Sequence, residues 1–432
     1  MPFEKSGPGP KRIAVVGGGI SGLGAAHALS RTHAVTLYEA EPRLGGHART
    51  VMAGRNGDQP VDTGFIVFNR ATYPNMVKLF EDLGVPIADS DMSFGASIRG
   101  GRLEYGLRNL AAVFCQRRNA ADPRFLRMLR DILRFNKRAE ATATPGMTIG
   151  HLLDRLGTGA WFRDYYLLPL SGAIWSTPTS GILDFPAEAL LRFFRNHALL
   201  HHSGQHQWYT VRGGSVEYVR RLEAALLRRG AELRKGTPVG GIRRLSDGGV
   251  VIETAAAGPE LFDEVVLATH SDDSLRLLSD PDEEEKRLLG AVRYQPNRAV
   301  LHADTGVMPK RRGAWSSWVY SEPDSGPCDR IDLTYWMNSL QPIPKDDPLF
   351  VTLNGCHPVR DELIHDEVEF RHPVYDHAAL AAQEGVRARN GARSTWFCGA
   401  WMRNGFHEDG LASGLEVAGA LAARDPAPIA AA

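Results

Sequence analysis

The chain has 432 residues, 43% of them hydrophobic, and its 50 basic and 50 acidic side chains cancel. That length exceeds one small domain and predicts two to three units, or one doubly built enzyme with ample core. The zero net charge excludes a global field favouring nucleic acid, and no stretch approaches the ~20 apolar residues of a membrane span. Cys115, Cys328, Cys356 and Cys398 are scattered with no C-x-x-C pair, so no disulfide framework is expected and the chain reads as cytoplasmic. The polar start MPFEKSGPGPKR reads as a loose arm rather than a signal peptide, and the closing RDPAPIAAA as a frayed tail.

From Arg12 the sequence runs RIAVVGGGISGLGAAHALSRTHAVTLYEA. An apolar strand, a glycine turn, a helix and a second strand follow one another. Gly17, Gly19 and Gly22 form G-x-G-x-x-G in the strand–turn–helix context that the motif requires, with Ser21 opening the helix. Gly17 makes the tight turn, Gly19 lets a pyrophosphate approach the backbone, Gly22 lets helix and strand touch, and the helix N-terminus faces the anion. Glu39, at the end of VTLYE, is placed to accept hydrogen bonds from a ribose hydroxyl pair and would repel the phosphate of NADP. The motif alone does not separate NAD from FAD.

The next segment does. AEPRLGGHART adds a second glycine pair, and VDTGFIVFN, YTVRGGSVEYVRRL, GTPVGGI, EVVLATH and FCGAWMRNGFHEDGLASGLEVAGAL follow along the chain. In order and spacing these resemble the FAD-dependent flavin amine oxidoreductase superfamily. Together with SGAIWSTP and NHALL…QWYTVRGGS, they resemble a bacterial subgroup of predicted NAD/FAD-binding proteins, one branch of which is the methyl-fatty-acyl desaturase of furan fatty acid biosynthesis. The resemblance implies an α/β fold: a discontinuous, monoamine oxidase-like Rossmann domain for FAD at residues 1–70, 205–285 and 390–432, with a mixed α+β substrate domain at 71–204 and 286–389. It implies Arg43, Gly45, Gly46 and His47 along the flavin and phosphates, Val239 near the adenine and Gly399 near the ribityl chain or pyrophosphate. A helix beginning around Leu411, with Gly410 and Ala412, would point at the flavin pyrimidine oxygen. No cysteine falls inside the C-terminal motif, although Cys398 lies near it, so noncovalent FAD is expected.

In the first insert, residues 102–138 hold ten Arg or Lys against Glu104, Asp122 and Asp131, with apolar residues interleaved. The functional reading is a basic amphipathic surface for anionic lipid; the plain one is a pair of surface helices with a solvated arginine face. The insert is otherwise expected to be mainly helical. NHALLHHSGQH offers His197, His201, His202 and His206, but Gly204 interrupts the run and no acid or cysteine joins it, so no metal is assigned. The second insert carries RAVLHAD, SWVYSE, IDLTYWMN and PLFVTLN, which read as strands of an antiparallel sheet over the flavin.

The C-terminal GFHEDGLASG puts His407, Glu408 and Asp409 before a small-residue helix. Amine-oxidising members of the superfamily resemble glycine, tyrosine, any residue, glutamate, glycine there. This chain has Phe406 for the tyrosine, an extra acid in Asp409, and His47 where many have arginine. Desaturating an acyl chain needs hydride acceptance by the flavin and a base near neutral pKa; His407 has that pKa without adjustment, Glu408 is placed to orient it or to bind a ribityl hydroxyl, and Asp409 to cap the helix that begins at Gly410. Tyr335 is the alternative base. The plain reading is that the trio caps the helix and clamps the cofactor. Trp175, Trp336, Trp401 and Phe406 are the expected pocket aromatics, with Tyr335 and Trp336 on opposite faces of one strand. The leading function is FAD-dependent desaturation or isomerisation of a fatty-acyl or phospholipid substrate, at the membrane surface, with O2 a candidate electron acceptor. A soluble amine or amino-acid oxidase and a non-catalytic redox-sensing flavoprotein stand as alternatives.

Overall fold

The computed structural model describes residues 9–175, 179–196, 206–326, 328 and 330–424. At its centre is a five-stranded parallel sheet in the order Glu232–Arg234, Ala34–Tyr38, Arg12–Val16, Glu264–Leu267, Thr395–Phe397. The middle strand is flanked on both sides, and Ile13, Ala14 and Val15 are wholly buried. That explains why RIAVV is a continuous apolar run rather than an alternating one. The helix Ile20–Leu29 crosses over to the parallel neighbour Ala34–Tyr38, the βαβ unit that a parallel pairing requires.

The last helix, His407–Arg424, packs directly on Ile20–Leu29. A Cβ on Gly414 would run into the Ser21 carbonyl oxygen, and one on Gly410 would crowd Ile20 and Ser21. The small residues of DGLASG therefore serve a close helix–helix approach.

A seven-stranded sheet lies beside the first, in the order Ile364–Val374, Arg293–His302, Phe350–Leu353, Leu333–Trp336, Trp318–Ser321, Phe94–Ile98, Leu103–Gly106. Its neighbours are antiparallel except Trp318–Ser321 with Phe94–Ile98. The strands expected in the second insert are there. The first insert is mainly helical among the described residues, as expected, but it also contributes Phe94–Ile98 and Leu103–Gly106 to this sheet. Their turn uses Arg99, Gly100 and Gly101 at φ 48°, 62° and 88°, a left-handed path that glycine makes cheap. The remainder includes the helix Pro123–Thr142, with Phe125, Met128, Phe135 and Ala139 facing inward.

One cysteine expectation is corrected as well. Cys328 and Cys356 form a disulfide, leaving Cys115 and Cys398 as thiols, so scattered cysteines carry no argument about compartment here. Among the described residues no helix is long and apolar enough to cross a membrane.

Candidate active site

A cavity of about 690 Å³ runs from the C-terminal ends of the central strands to the face of the seven-stranded sheet. At one end its wall is backbone. Gly17, Gly19, Gly45 and Gly46 line it, and a Cβ on Gly19 would meet no protein atom within 4 Å. Gly19 is the N-cap of Ile20–Leu29, and no side chain caps that helix, which leaves its N-terminus to an anion. Gly22 does not line the cavity; its Cβ would run into the Gly17 carbonyl oxygen. Glu39 does line it. Its carboxylate accepts from the N–H of Gly18 at 2.6 Å and of Glu41 at 2.8 Å, which fixes its direction. Thr237 and Val239 close this end, with the Thr237 N–H bonded to the Glu39 carbonyl oxygen at 2.8 Å.

Arg43 is turned elsewhere. Its guanidinium donates to the carbonyl oxygens of Ala48 and Gly46 at 3.2 and 3.0 Å and pairs with Glu41 at 3.0 Å, so it braces the second glycine turn and does not line the cavity.

The other end is apolar and aromatic. Phe65, Ile66, Tyr73, Ile174, Trp208, Trp318, Tyr335, Leu353, Phe370 and Phe406 line it, together with His47, His372 and His407. Tyr335 packs edge-on against Trp318 with ring centroids 5.4 Å apart. Trp336 faces away, as strand alternation requires, into a separate cluster with Trp315 and Phe350; it leaves the pocket list. Trp401 lines the cavity near Gly399, its indole N–H donating to the Thr269 carbonyl oxygen at 3.1 Å. The Trp175 side chain and His197, His201 and His202 lie outside the described residues.

The helix that carries the opening trio starts at His407, not near Leu411. His407 stacks on Phe65 with centroids 4.1 Å apart, and its Nε2 is 2.6 Å from the Tyr218 hydroxyl. Burial pushes its pKa down to about 3, helped by His47. This corrects the near-neutral value expected of it: a ring that weakly basic has little driving force for taking a proton. Glu408 does not reach the imidazole. Its carboxylate accepts from the backbone N–H of Asn75 and Met76 at 3.0 and 2.9 Å and from the Asn75 amide at 2.6 Å. These are the N–H groups of the second and third residues of the helix Pro74–Leu83, the first two that it has because Pro74 carries none, and no side chain of its own caps it, so Glu408 caps it from 333 residues away. Asp409 accepts from the Phe406 N–H at 3.0 Å, the backward half of a capping box. Gly410, Leu411 and Ala412 pack beneath, outside the cavity lining. Tyr218 and Asn75 were missed by sequence reasoning, since their partners are distant in the chain.

The profile described as flavin containing amine oxidoreductase matches residues 20–313, more than half of the chain. The chain belongs to that family. It is therefore a flavin-dependent oxidoreductase by family. Protoporphyrinogen oxidase 2, chloroplastic/mitochondrial, of Arabidopsis thaliana is 46% identical over 76 residues, a match spanning 17% of this chain and only 14% of that protein. The fold is shared with the CLA-producing fatty acid isomerase from P. acnes, at 15% identity and TM-score 0.68, covering 96% of this chain and 98% of that one. It is shared equally with cyclohexylamine oxidase from Brevibacterium oxydans IH-35A, at 15% identity and TM-score 0.68, covering 96% and 99%.

A flavin dinucleotide fits the residues present. The open side of Gly19, the uncapped helix N-terminus and the fixed Glu39 carboxylate supply the contacts that a pyrophosphate and a ribose diol need. Cys398 is fully buried, outside the cavity lining, and burial pushes its thiol up to about 12.

Proposed function

We propose that the protein is an FAD-dependent oxidoreductase that desaturates or isomerises an apolar acyl chain, with FAD held noncovalently. The observation that carries this reading is the absence, among the described residues, of an unpaired charge in the far half of the cavity. Of the charged lining residues, Glu39 and Glu41 belong to the nucleotide end, and Arg371 pairs with Asp272 and Asp273. Around Phe65, Tyr335, Trp318 and Phe370 no described carboxylate awaits an ammonium and no described arginine awaits a carboxylate. An acyl chain gains about 0.8 kcal/mol per methylene buried against such a wall.

Bound FAD would supply hydride acceptance. The chain supplies the rest. Gly17, Gly19 and Glu39 hold the dinucleotide end. Tyr335 presents a hydroxyl that burial keeps protonated, its pKa raised, so it donates a hydrogen bond rather than taking a proton. The apolar wall excludes water, and His407 with Phe65 forms a fixed aromatic partition. With no near-neutral base among the described side chains that line this half, the reading favours substrates whose C–H bonds are already activated, such as allylic positions.

The deciding experiment is anaerobic mixing of purified, FAD-loaded protein with methyl-branched and unsaturated C18 fatty acids and with a panel of primary and cyclic amines. Bleaching of the flavin band by acids, or rearrangement of their double bonds, is expected. Bleaching by amines alone would replace this reading with amine oxidation, and no reaction with either would favour a redox-sensing role.

A membrane-surface location accompanies the proposal. On the outer face of Pro123–Thr142, Leu126 and Leu133 are 44% and 56% exposed, and Arg130 and Lys137 fall on the same stripe at helical spacing. Sedimentation with vesicles containing anionic lipid should exceed that with neutral vesicles and fall with salt; equal, salt-independent binding removes the location.

A further inference from the structure

Among the described residues four imidazoles line the cavity, and one of them has its tautomer written into the surrounding hydrogen bonds. His372 lies on Ile364–Val374, beside the strand Arg293–His302. Its Nδ1 is 2.8 Å from the side-chain amide of Asn297. Which end of that amide faces the ring follows from the far end of a relay. The backbone N–H of Arg298 reaches the Asn354 side chain at 3.0 Å, and a backbone N–H only donates. The Asn354 atom there is thus the oxygen, its nitrogen donates to the Asn297 oxygen at 2.7 Å, and the Asn297 nitrogen donates to His372. Nδ1 of His372 accepts, so the ring proton sits on Nε2.

That Nε2–H has no protein acceptor among the described residues, although the residue lines the cavity. Once a bound ligand displaces water from the cavity, a donor left unpaired there is destabilising, and a ligand oxygen removes that cost. The neighbourhood keeps the ring uncharged: His47 is 5.6 Å away between centroids and stacks on Phe370 at 4.9 Å, and His270 stands 6.0 Å from His47. Burial, with His47 and His270, pushes the His372 pKa down to about 3. The Nε2 of His47 is itself buried without a partner, a second sign that this wall is finished by a ligand.

We propose that His372, in the tautomer set by the Asn354–Asn297 relay, donates a hydrogen bond from Nε2 to a carbonyl or carboxylate oxygen of the bound flavin or of the substrate. Asn297 is the positioning residue. The proposal requires the flavin family and not the acyl substrate.

The test uses FAD-loaded protein labelled with 15N-histidine. The His372 ring is expected as the Nε2–H tautomer, and Asn297→Ala should mix the tautomers while leaving the ring in place. His372→Phe removes the donor, and His372→Gln supplies an amide N–H from a similar reach. His372→Phe should weaken binding of either FAD or oleate by ~10-fold or more, the size of one unpaired hydrogen bond, with His372→Gln recovering most of it. A change in FAD affinity and visible spectrum assigns the oxygen to the flavin; a change in oleate titration alone assigns it to the substrate. Oleate that fails to bind wild-type protein counts against the acyl reading, and the FAD measurements then decide this one. An Nδ1–H tautomer in wild type, or wild-type binding of both ligands by His372→Phe, overturns the proposal. Should His372→Phe fail to fold, the Asn297→Ala tautomer and FAD affinity decide in the same way.

Discussion

The two ends of the cavity are built by different means. At the nucleotide end the contacts are local and mostly backbone: Gly17, Gly19, Gly45 and Gly46 expose main chain, and Glu39 is held by N–H groups within 21 residues of it. At the apolar end each wall comes from far away, with Phe65 on His407, Tyr218 on His407, and Glu408 on Asn75 and Met76. The first end is a motif: an added Cβ at Gly17 or Gly45 would meet backbone oxygen, and one at Gly19 would fill the open cradle. The second is a tertiary assembly, and its parts fail separately.

The largest effect should therefore come from the contact that joins the two. Gly414→Val places atoms against the Ser21 carbonyl oxygen and Ala25 nitrogen, between the glycine-turn helix and the helix bearing His407. Overpacking of this kind costs about 1–3 kcal/mol or more, and here backbone faces backbone, so little can give. Loss of both FAD binding and folded protein is expected by circular dichroism and absorbance. A yellow, wild-type-stable variant would show that the two helices lie further apart.

Glu39→Ala should act on one end alone. Removing a charge-assisted acceptor worth about 1.5–3 kcal/mol lowers FAD affinity by ~10- to 100-fold, and urea unfolding of the FAD-free protein should shift little. Glu408→Ala is the mirror case. It uncaps Pro74–Leu83, at a cost of about 1–2 kcal/mol, and should lower the melting temperature by about 1–2 °C with the Glu39-dependent affinity kept. If Glu408→Ala instead released FAD and left the melting temperature alone, the carboxylate would belong to the cofactor.

These contrasts also mark what the sequence could tell. RIAVVGGGISG and VTLYE are legible because strand, turn, helix and acid sit within one short stretch, where period and glycine spacing carry the information. Phe94–Ile98 and Leu103–Gly106 had a local signal too, a glycine pair between strand-like runs, but the helical pattern of most of the insert masked it. Glu408 had none: its partners are 333 residues away in sequence, and nothing near it distinguishes a cap for its own helix from a cap for another. The same holds for Trp336, whose face was decided by strand alternation and whose neighbours were not, and for Cys328 with Cys356, where scatter in the sequence said nothing of closeness in space.

Acidification should weaken the apolar end before the motif end. His27, His47, His270, His302, His372 and His407 all have pKa values pushed down to about 3 or 4, burial being the largest cause. Their folded values lie below the unfolded value near 6.5. Protons therefore bind the unfolded chain first, and the stability tied to these rings is present above about pH 6.5 and lost as pH falls toward the folded values, at about 1.4 kcal/mol per pH unit per ring. Asp62 and Asp409, raised by burial to about 6, work the other way, as do Glu322 and Glu408, which burial also raises. The rings outnumber the acids, so the melting temperature should fall between pH 7 and pH 5. A maximum at pH 5 would mean that these imidazoles are not held neutral.

The smallest effect expected is the one that separates a base from a partition. An imidazole of ordinary pKa acting as general base would make flavin reduction rise with pH through about 6–7 and then level off. His407 is neutral well below that range, its pKa pushed down to about 3, so no inflection of its own remains there. Single-turnover flavin reduction should then be flat from about pH 5.5 to 8, within roughly two-fold. His407→Phe keeps an aromatic face for Phe65 and loses only the bond to Tyr218, a change worth about 0.5–1.5 kcal/mol, or no more than ~10-fold in rate. A wild-type inflection near pH 6.5 that disappears in His407→Phe, with the rate down by ~10²-fold or more, would restore His407 as the proton acceptor. A flat profile shared by both proteins leaves it as the ring that divides flavin chemistry from solvent.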